Sequence, residues 1–405
     1  MTAWLLTAVL ASSVAVGSPT QLGRSQVPAL GAGLHGRPRA LAGRAAPWTG
    51  RAEQLIDRLP VSVSVAERGR LVYAHGGNAL RPPASNEKLL LSMALLARFG
   101  ARYRIPTAVE GSPPAHGVVR GNLWLVGHGD PELDDAALAR LARRLRAAGI
   151  RSVRGSVIGV TNTFTRERWA PGWQAIALQF VSLPTALVFD ANTSASGFVF
   201  DPERRAATAL TADLRALGVR VRGRARAGRE PGAATGTLAA VRSAPLVDIL
   251  RRQNVDSLNL DAEVMAKMLG AAAFGPPGSI AKGARAIRLW ARRHGVKVVA
   301  HDGSGLSYTN RISTNGTVRL LSAASGSPLR STLPSAGEGT LAGRLSGLRV
   351  RAKTGTLLKQ VSALSGWVRL RRSRRWAEFS ILSRGLAKSQ AVALEDELVS
   401  LMARR

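Results

Sequence analysis

The chain has no cysteine, which excludes disulfides, thiolate zinc sites, iron–sulfur clusters and a cysteine nucleophile. Its histidines, His35, His75, His116, His128, His294 and His301, never fall at ligand spacing with one another or with acidic residues, so no metal site is expected. After the first residues no apolar run reaches the roughly 18 residues of a membrane span. Gly127-His128-Gly129 lacks the third glycine of a dinucleotide-binding loop, and no phosphate-binding loop ends in Gly-Lys-Ser or Gly-Lys-Thr, so no cofactor is expected. Acidic residues are scarce as well, 25 against 57 basic ones, leaving a formal charge of +32. Lysine is rare within that excess: 7 residues against 50 arginines, spread along the whole chain. That spread reads as a coding bias rather than a nucleic-acid footprint, although the field favours anionic surroundings.

What is present is globular: 405 residues, 45% of them hydrophobic and 20% charged, enough for two or three domains. Residues 1–20 run apolar from Met1 to Gly17 with small residues at Ala15 and Gly17, and are expected to be a signal peptide for export to the extracytoplasmic space. No basic residue precedes the run and Ser12 and Ser13 interrupt it, so a mis-assigned start or a plain hydrophobic tail is the other reading. Residues 21–46 have linker composition. Folding is expected from about Trp48. Val61 to Val65 alternates and, with the turn Glu67-Arg68-Gly69 and Leu71 to Tyr73, predicts a hairpin. Leu89 to Phe99 is apolar on nearly every side and predicts a buried helix. From about 105 to 235 the character changes to an inserted α/β unit, with strands at Val118–Val126 and Val153–Val160, a helix at Asp134–Ala148 stopped by Gly149, and a strand with one solvated face at Val219–Arg224. Toward the C-terminus, Ala363–Leu370 and Trp376–Leu382 predict a second hairpin, and Leu386–Met402 a closing helix.

Three short motifs carry chemistry. Ser85-Asn86-Glu87-Lys88 sets a hydroxyl and an amine three apart at the start of the buried helix, where they share a face. A lysine kept neutral by burial could take the serine's proton, and the helix N-terminus offers N–H groups to an oxyanion. Alone, the motif is equally a serine cap followed by a solvated lysine. Ser257-Leu258-Asn259 opens a helical stretch and puts a second hydroxyl beside an amide, fit to relay a proton and hold a carbonyl. Lys353-Thr354-Gly355-Thr356 follows an alternating stretch; a cation with two hydroxyls matches a carboxylate, and glycine admits a substrate backbone. Two look-alikes serve as internal controls: Ser279-Ile280-Ala281-Lys282 and Ser313-Thr314-Asn315 are better read as helix caps.

In this order the three motifs are similar to the trio of penicillin-binding proteins and class A β-lactamases. From about Trp48 onward the chain resembles the D-Ala-D-Ala carboxypeptidases of peptidase family S13, the penicillin-binding protein 4 type. Pro83-Ala84-Ser85, Gly129-Asp130-Pro131, Ala262-Glu263, Asp302-Gly303-Ser304-Gly305-Leu306-Ser307 and Asn310-Arg311 add to the likeness. The resemblance implies an α/β (α+β) fold: a β-lactamase/transpeptidase-like domain, an antiparallel sheet flanked by helices, formed by 47–104 and 236–405, with the α/β insertion at 105–235. The stretch after Asn192 is too short for the further nested domain of larger members, so a reduced architecture is expected. It also implies Ser85, Lys88, Ser257 and Asn259 as catalytic residues and Lys353, Thr354, Gly355 and Thr356 as substrate-binding ones, with the backbone N–H groups of Ser85 and Thr356 as oxyanion hole. The implied partners are peptidoglycan stem peptides, with β-lactams as inhibitors; anionic wall polymers suit the charge, and no nucleic acid is expected. A β-lactamase would need a water-activating carboxylate, and Glu263 and Glu338, the only glutamates between Asn259 and Lys353, lack the Glu-x-x-Leu-Asn setting. A catalytically silent wall-binding module is the rival of another class. Asp302-Gly303-Ser304-Gly305 reads as a glycine turn beside the site.

Overall fold

The computed structural model describes residues 47–230 and 236–405, so the expected signal peptide (1–20) and linker (21–46) lie outside the described residues. Among the described residues no helix is long and apolar enough to cross a membrane. Helix α1 (Pro47–Ile56) leads into the hairpin β1 (Val61–Glu67) and β2 (Arg70–His75), turning at the predicted place. Helix α2 (Glu87–Phe99) follows and is buried from Glu87 to Leu96, as its all-round apolar character demands.

Strand β3 (Pro106–Gly111) then opens the insertion. The strand expected at Val118–Val126 divides into β4 (Val118–Val119) and β5 (Leu123–Gly127); after α3 (Asp135–Ala147), the one expected at Val153–Val160 divides into β6 (Ser152–Val153) and β7 (Val157–Val160). The breaks coincide in space. Gly155 N donates to Gly121 O (3.0 Å), Ser156 N donates to the Asn122 side chain (2.9 Å), and Gly223 N donates to Gly155 O (2.9 Å). At that level each strand passes from a three-stranded parallel sheet into a five-stranded mixed one, which hydropathy alternation alone does not reveal. Beyond Asn192 the chain makes only a small hairpin, β8 (Thr193–Ser194) and β9 (Gly197–Phe198), before α4 (Pro202–Ala216). The strand expected at Val219–Arg224 is reduced to β10 (Arg220–Val221), followed by β11 (Arg226–Gly228). Caps explain the helices: Asp134 Oδ1 accepts from Ala137 N (2.8 Å) at the head of α3, and Asp201 with Pro202 starts α4. The expected boundary at 235/236 is corrected by β12 (Gly236–Arg242), which pairs antiparallel with β3 and completes the order β11-β7-β5-β3-β12.

Helices α5 (Leu246–Asp256), α6 (Asn259–Phe274), α7 (Ile280–Arg293) and α8 (Thr314–Ala323) precede β13 (Val350–Leu357), β14 (Val361–Arg369), β15 (Trp376–Arg384) and α9 (Lys388–Ala403). The first and last strands of the described residues meet in one antiparallel sheet, order β13-β14-β15-β1-β2, with Val63 opposite Ile381. Trp48 and Ile56 of α1 and Leu398 and Met402 of α9 pack on one face of it. On the other, Leu320 and Leu321 of α8 join the core of α2, α6 and α7, which reaches Trp367 and Leu382 of the sheet. The site lies where this helical layer meets the edge strand β13.

Candidate active site

Ser85 is not a helix cap. It sits in a 3-10 turn, Ala84–Asn86, that runs directly into α2, and the preceding Ala84 holds a left-handed φ of 47°, a conformation costly for a residue with a Cβ. Two glycines make the turn possible: a Cβ at Gly305, whose φ is +87°, would lie 1.9 Å from Ala84 O, and one at Gly355 would lie 2.9 Å from Pro83 O. Lys88 is not solvated either; its side chain is 0% exposed. Its Nζ lies 3.2 Å from Ser85 Oγ and donates to Asn259 Oδ1 (2.8 Å) and to the Ser304 carbonyl (2.7 Å). Burial pulls its pKa down to about 8 against the opposing pull of Asp302, Glu263, Asp261 and Glu87. A neutral amine has two hydrogens and one lone pair. With the hydrogens committed to Asn259 and Ser304, the lone pair is left for Ser85.

The other two motifs meet at a second lysine. Lys353 Nζ donates to Ser257 Oγ (2.9 Å) and to Thr354 O (3.0 Å). Ser257 ends α5 with a left-handed φ of 59°, and Asn259 opens α6, its Nδ2 donating to the Phe180 carbonyl (3.0 Å). Lys353 to Thr356 lie inside β13, an edge strand, with Thr354 half-buried and Thr356 exposed. Lys353 itself is 0% exposed, and burial, then the charge of Lys88, holds its pKa well below that of an ordinary lysine. An arriving carboxylate would have to restore its charge.

The look-alikes behave as caps. Ser279 Oγ accepts from Lys282 N (3.1 Å), and Lys282 Nζ donates instead to Gly275 O and Pro277 O. Ser313 Oγ accepts from Gly316 N (3.0 Å) at the head of α8. Both glutamates considered for water activation already hold partners: Glu263 Oε1 accepts from Gly303 N and Ser304 N, and Glu338 binds Arg251 and Ser335. Among the described residues no cluster of His, Asp and Glu is arranged to hold a metal.

Sequence reasoning found the turn at Asp302–Gly305 but not its task. Asp302 Oδ1 accepts from Gly305 N (3.1 Å) and Asn310 Nδ2 (2.7 Å), and its Oδ2 from Ser307 N (2.8 Å) and Trp173 Nε1 (2.7 Å). The peptide that presents the Ser304 carbonyl to Lys88 is thus pinned. A usable signal lay in the lysines: of 7 in an arginine-rich chain, Lys88, Lys267 and Lys353 are 0% exposed, positions that want a compact amine rather than a wide guanidinium.

The fold, an antiparallel sheet between helical layers with an α/β insertion, is shared with solved structures. Penicillin binding protein 4 (dacB) from Haemophilus influenzae superposes with a TM-score of 0.76 at 21% identity, covering 87% of this chain and 99% of that one. A predatory peptidoglycan endopeptidase from Bdellovibrio bacteriovorus shares the fold at a TM-score of 0.53 and 16% identity, covering 84% and 92% of the two chains. The chain belongs to the D-Ala-D-Ala carboxypeptidase 3 (S13) family, whose profile matches residues 52–198 and 190–405. In sequence it is 29% identical over 430 residues to a D-alanyl-D-alanine carboxypeptidase from Actinomadura sp. (strain R39), covering 83% of this chain and 79% of that protein. It is also 29% identical over 379 residues to carboxypeptidase DacB of Mycolicibacterium smegmatis, covering 82% and 78%. Membership brings the family's general activity, a serine hydrolase that processes peptidoglycan.

Proposed function

We propose that the protein is an exported serine D-alanyl-D-alanine carboxypeptidase and endopeptidase that cleaves peptidoglycan stem peptides through an acyl-enzyme on Ser85 and is inhibited by β-lactams. The observation that carries this reading is the buried amine of Lys88, 3.2 Å from Ser85 Oγ with its other contacts already made. In the first step Lys88 takes the Ser85 proton as Oγ attacks the penultimate D-Ala carbonyl carbon. Backbone N–H groups of Ser85 and Thr356 steady the oxyanion. The C–N bond then breaks, the proton passes through Ser257 to the leaving amine, and free D-Ala departs. Water hydrolyses the ester by the reverse relay. Asn259 orients the acyl-side amide, while Lys353, Thr354 and Thr356 receive the substrate carboxylate, with Gly355 letting its backbone approach the edge of β13.

The test is release of free D-Ala from a stem pentapeptide, abolished in step with penicillin titration. Rapid penicillin hydrolysis without D-Ala release would favour a β-lactamase, and neither activity a silent wall-binding module. Because Lys88 must be unprotonated to accept a proton, acylation should rise with pH through a midpoint near 8, the amine being charged and idle below it. A rate independent of pH between 6 and 9 would contradict this use of Lys88.

Lys353→Met should retain the fold, since the unbranched apolar chain fills the buried space, yet lose about 10²-fold or more in kcat/KM for D-Ala release. Lys353→Ala is the poorer probe, because a buried truncation costs about 2–5 kcal/mol on its own. Wild-type kcat/KM in a folded Lys353→Met variant would remove Lys353 from carboxylate binding. The net charge of +32 supports association with anionic wall polymers, and retention on isolated walls should fall as salt shortens the Debye length. Retention indifferent to salt would exclude charge as its cause.

A further inference from the structure

Helix α6 carries, besides Asp261 at 5% exposure, two fully buried charged side chains for which the proposed chemistry has no direct use. Glu263 and Lys267, both 0% exposed, follow Asn259 at successive four-residue steps and so share its face. Each of the three faces a different part of the cleft wall. Asn259 bridges Lys88 Nζ (2.8 Å) and the Phe180 carbonyl (3.0 Å). One turn on, Glu263 Oε1 accepts from Gly303 N (3.1 Å) and Ser304 N (2.7 Å). A further turn on, Lys267 Nζ donates to the carbonyls of Thr165 (2.8 Å), Glu167 (3.1 Å) and Pro184 (2.9 Å), with the Glu167 carboxylate 3.6 Å away. We propose that Glu263 and Lys267 are positioning residues for acylation, Glu263 fixing the 302–305 turn behind Lys88 and Lys267 fixing the strap 165–184 that forms the cleft wall beside Asn259. The proposal rests on the assignment of Ser85 and Lys88 above.

The Glu263 arm follows from the two hydrogens of neutral Lys88. Their acceptors are Asn259 Oδ1 and the Ser304 carbonyl, and the second keeps its place because Glu263 holds the N–H groups of residues 303 and 304 while Asp302 holds that of 305. If that carbonyl drifts, the amine turns and its lone pair leaves Ser85. The carboxylate also acts through its charge. Lys88 is faced by Glu87 on its own helix, Asp261 and Glu263 on α6, Asp302 in the turn and Lys353 on β13. Of these, the anions favour the protonated amine, so removing the Glu263 charge must ease deprotonation of Lys88. Glu263 is itself surrounded by Asp302, Glu87, Lys88 and Lys267; burial and then Asp302 push its pKa up to about 7.

The Lys267 arm follows from the strap. Three backbone carbonyls converging on one ammonium tie its two ends, residues 165–167 and 184, to α6. Between them lie Trp173, bonded to Asp302, and the exposed Phe180, whose carbonyl meets Asn259. Glu167, Glu263 and Arg166 are the charges around Lys267, and none of them is Lys88 or Ser85. Loss of the clamp should therefore disturb the fit of the peptide first and reach the base only at second hand, through Glu263.

The test is penicillin acylation and D-Ala release against pH in the full-length protein, folding being checked by circular dichroism. Glu263→Ala should acylate about tenfold or more slowly on the high-pH plateau, in line with the cost of small misplacements at a reacting centre. Glu263→Gln, which keeps an acceptor for both N–H groups, should recover the plateau rate with its midpoint moved to lower pH. A purely structural residue would not move that midpoint. Lys267→Met, or Lys267→Gln if the first variant does not fold, should raise KM for the pentapeptide about tenfold and move the midpoint less than Glu263→Gln does. Wild-type rates in Glu263→Ala with an unshifted midpoint in Glu263→Gln would overturn the first arm; an unchanged KM in a folded Lys267 variant would overturn the second. Absence of penicillin labelling at Ser85 in the wild-type protein would instead refute the underlying assignment.

Discussion

Ser85→Ala should abolish D-Ala release from a stem pentapeptide, a loss of about 10⁴-fold or more, while Ser279→Ala leaves turnover unchanged. The chain provides both halves of the comparison, because both serines stand three residues before a lysine. Only at Ser85 does the amine face the hydroxyl, at 3.2 Å. At Ser279 the hydroxyl accepts from the backbone N of Lys282 while the Lys282 amine turns away to Gly275 and Pro277. Ser85 makes no capping bond to its helix, so truncating it to alanine removes the reacting oxygen and little else. Ser279→Ala loses a cap instead, and should lower stability by about 1 kcal/mol with no kinetic effect. Measuring both by free D-Ala, with melting temperature alongside, separates the two serines; equal losses in both would mean that spacing had been mistaken for a site.

Lys88→Met should slow acylation by about 10²–10⁴-fold, the usual contribution of a positioned base, and should erase the pH midpoint near 8. Methionine matches the lysine stem in length but neither accepts a proton nor donates to Asn259 Oδ1 and the Ser304 carbonyl. Leaving those acceptors unpaired costs about 1–3 kcal/mol each, so the variant should also melt earlier. The slow residual acylation is the decisive reading. If it kept the wild-type midpoint, another group would be the base.

The hairpins, the buried helix, the capped look-alikes and the order of the three motifs are legible because each rests on short-range rules: alternation, all-round apolarity, turn residues and spacing. The insertion is less so. Its strands break in register at Gly121-Asn122 and Gly155, an event produced by neighbouring chains meeting and not by any one stretch's hydropathy. The extension of the insertion to Arg242 is likewise a matter of pairing, since Gly236–Arg242 adds to β3 rather than to the sheet its position in the chain suggests. Within the site, Ser85 and Lys88 announce themselves through i, i+3 spacing, whereas Ser304 contributes only a carbonyl and leaves no side-chain signature. Burial of Lys353 was hidden for a related reason: a lone lysine followed by threonine on a strand reads as polar until its surroundings close over it.

The central claim is that one hydroxyl, Ser85 Oγ, is the acylated atom. Mass spectrometry of the purified protein after exposure to labelled penicillin, followed by proteolytic mapping, tests it most directly. A single adduct is expected on the peptide that contains Ser85, absent from Ser85→Ala and retained in Ser279→Ala; an adduct on the Ser279 peptide, or no adduct on folded wild-type protein, would rule out Ser85 as the acylated residue.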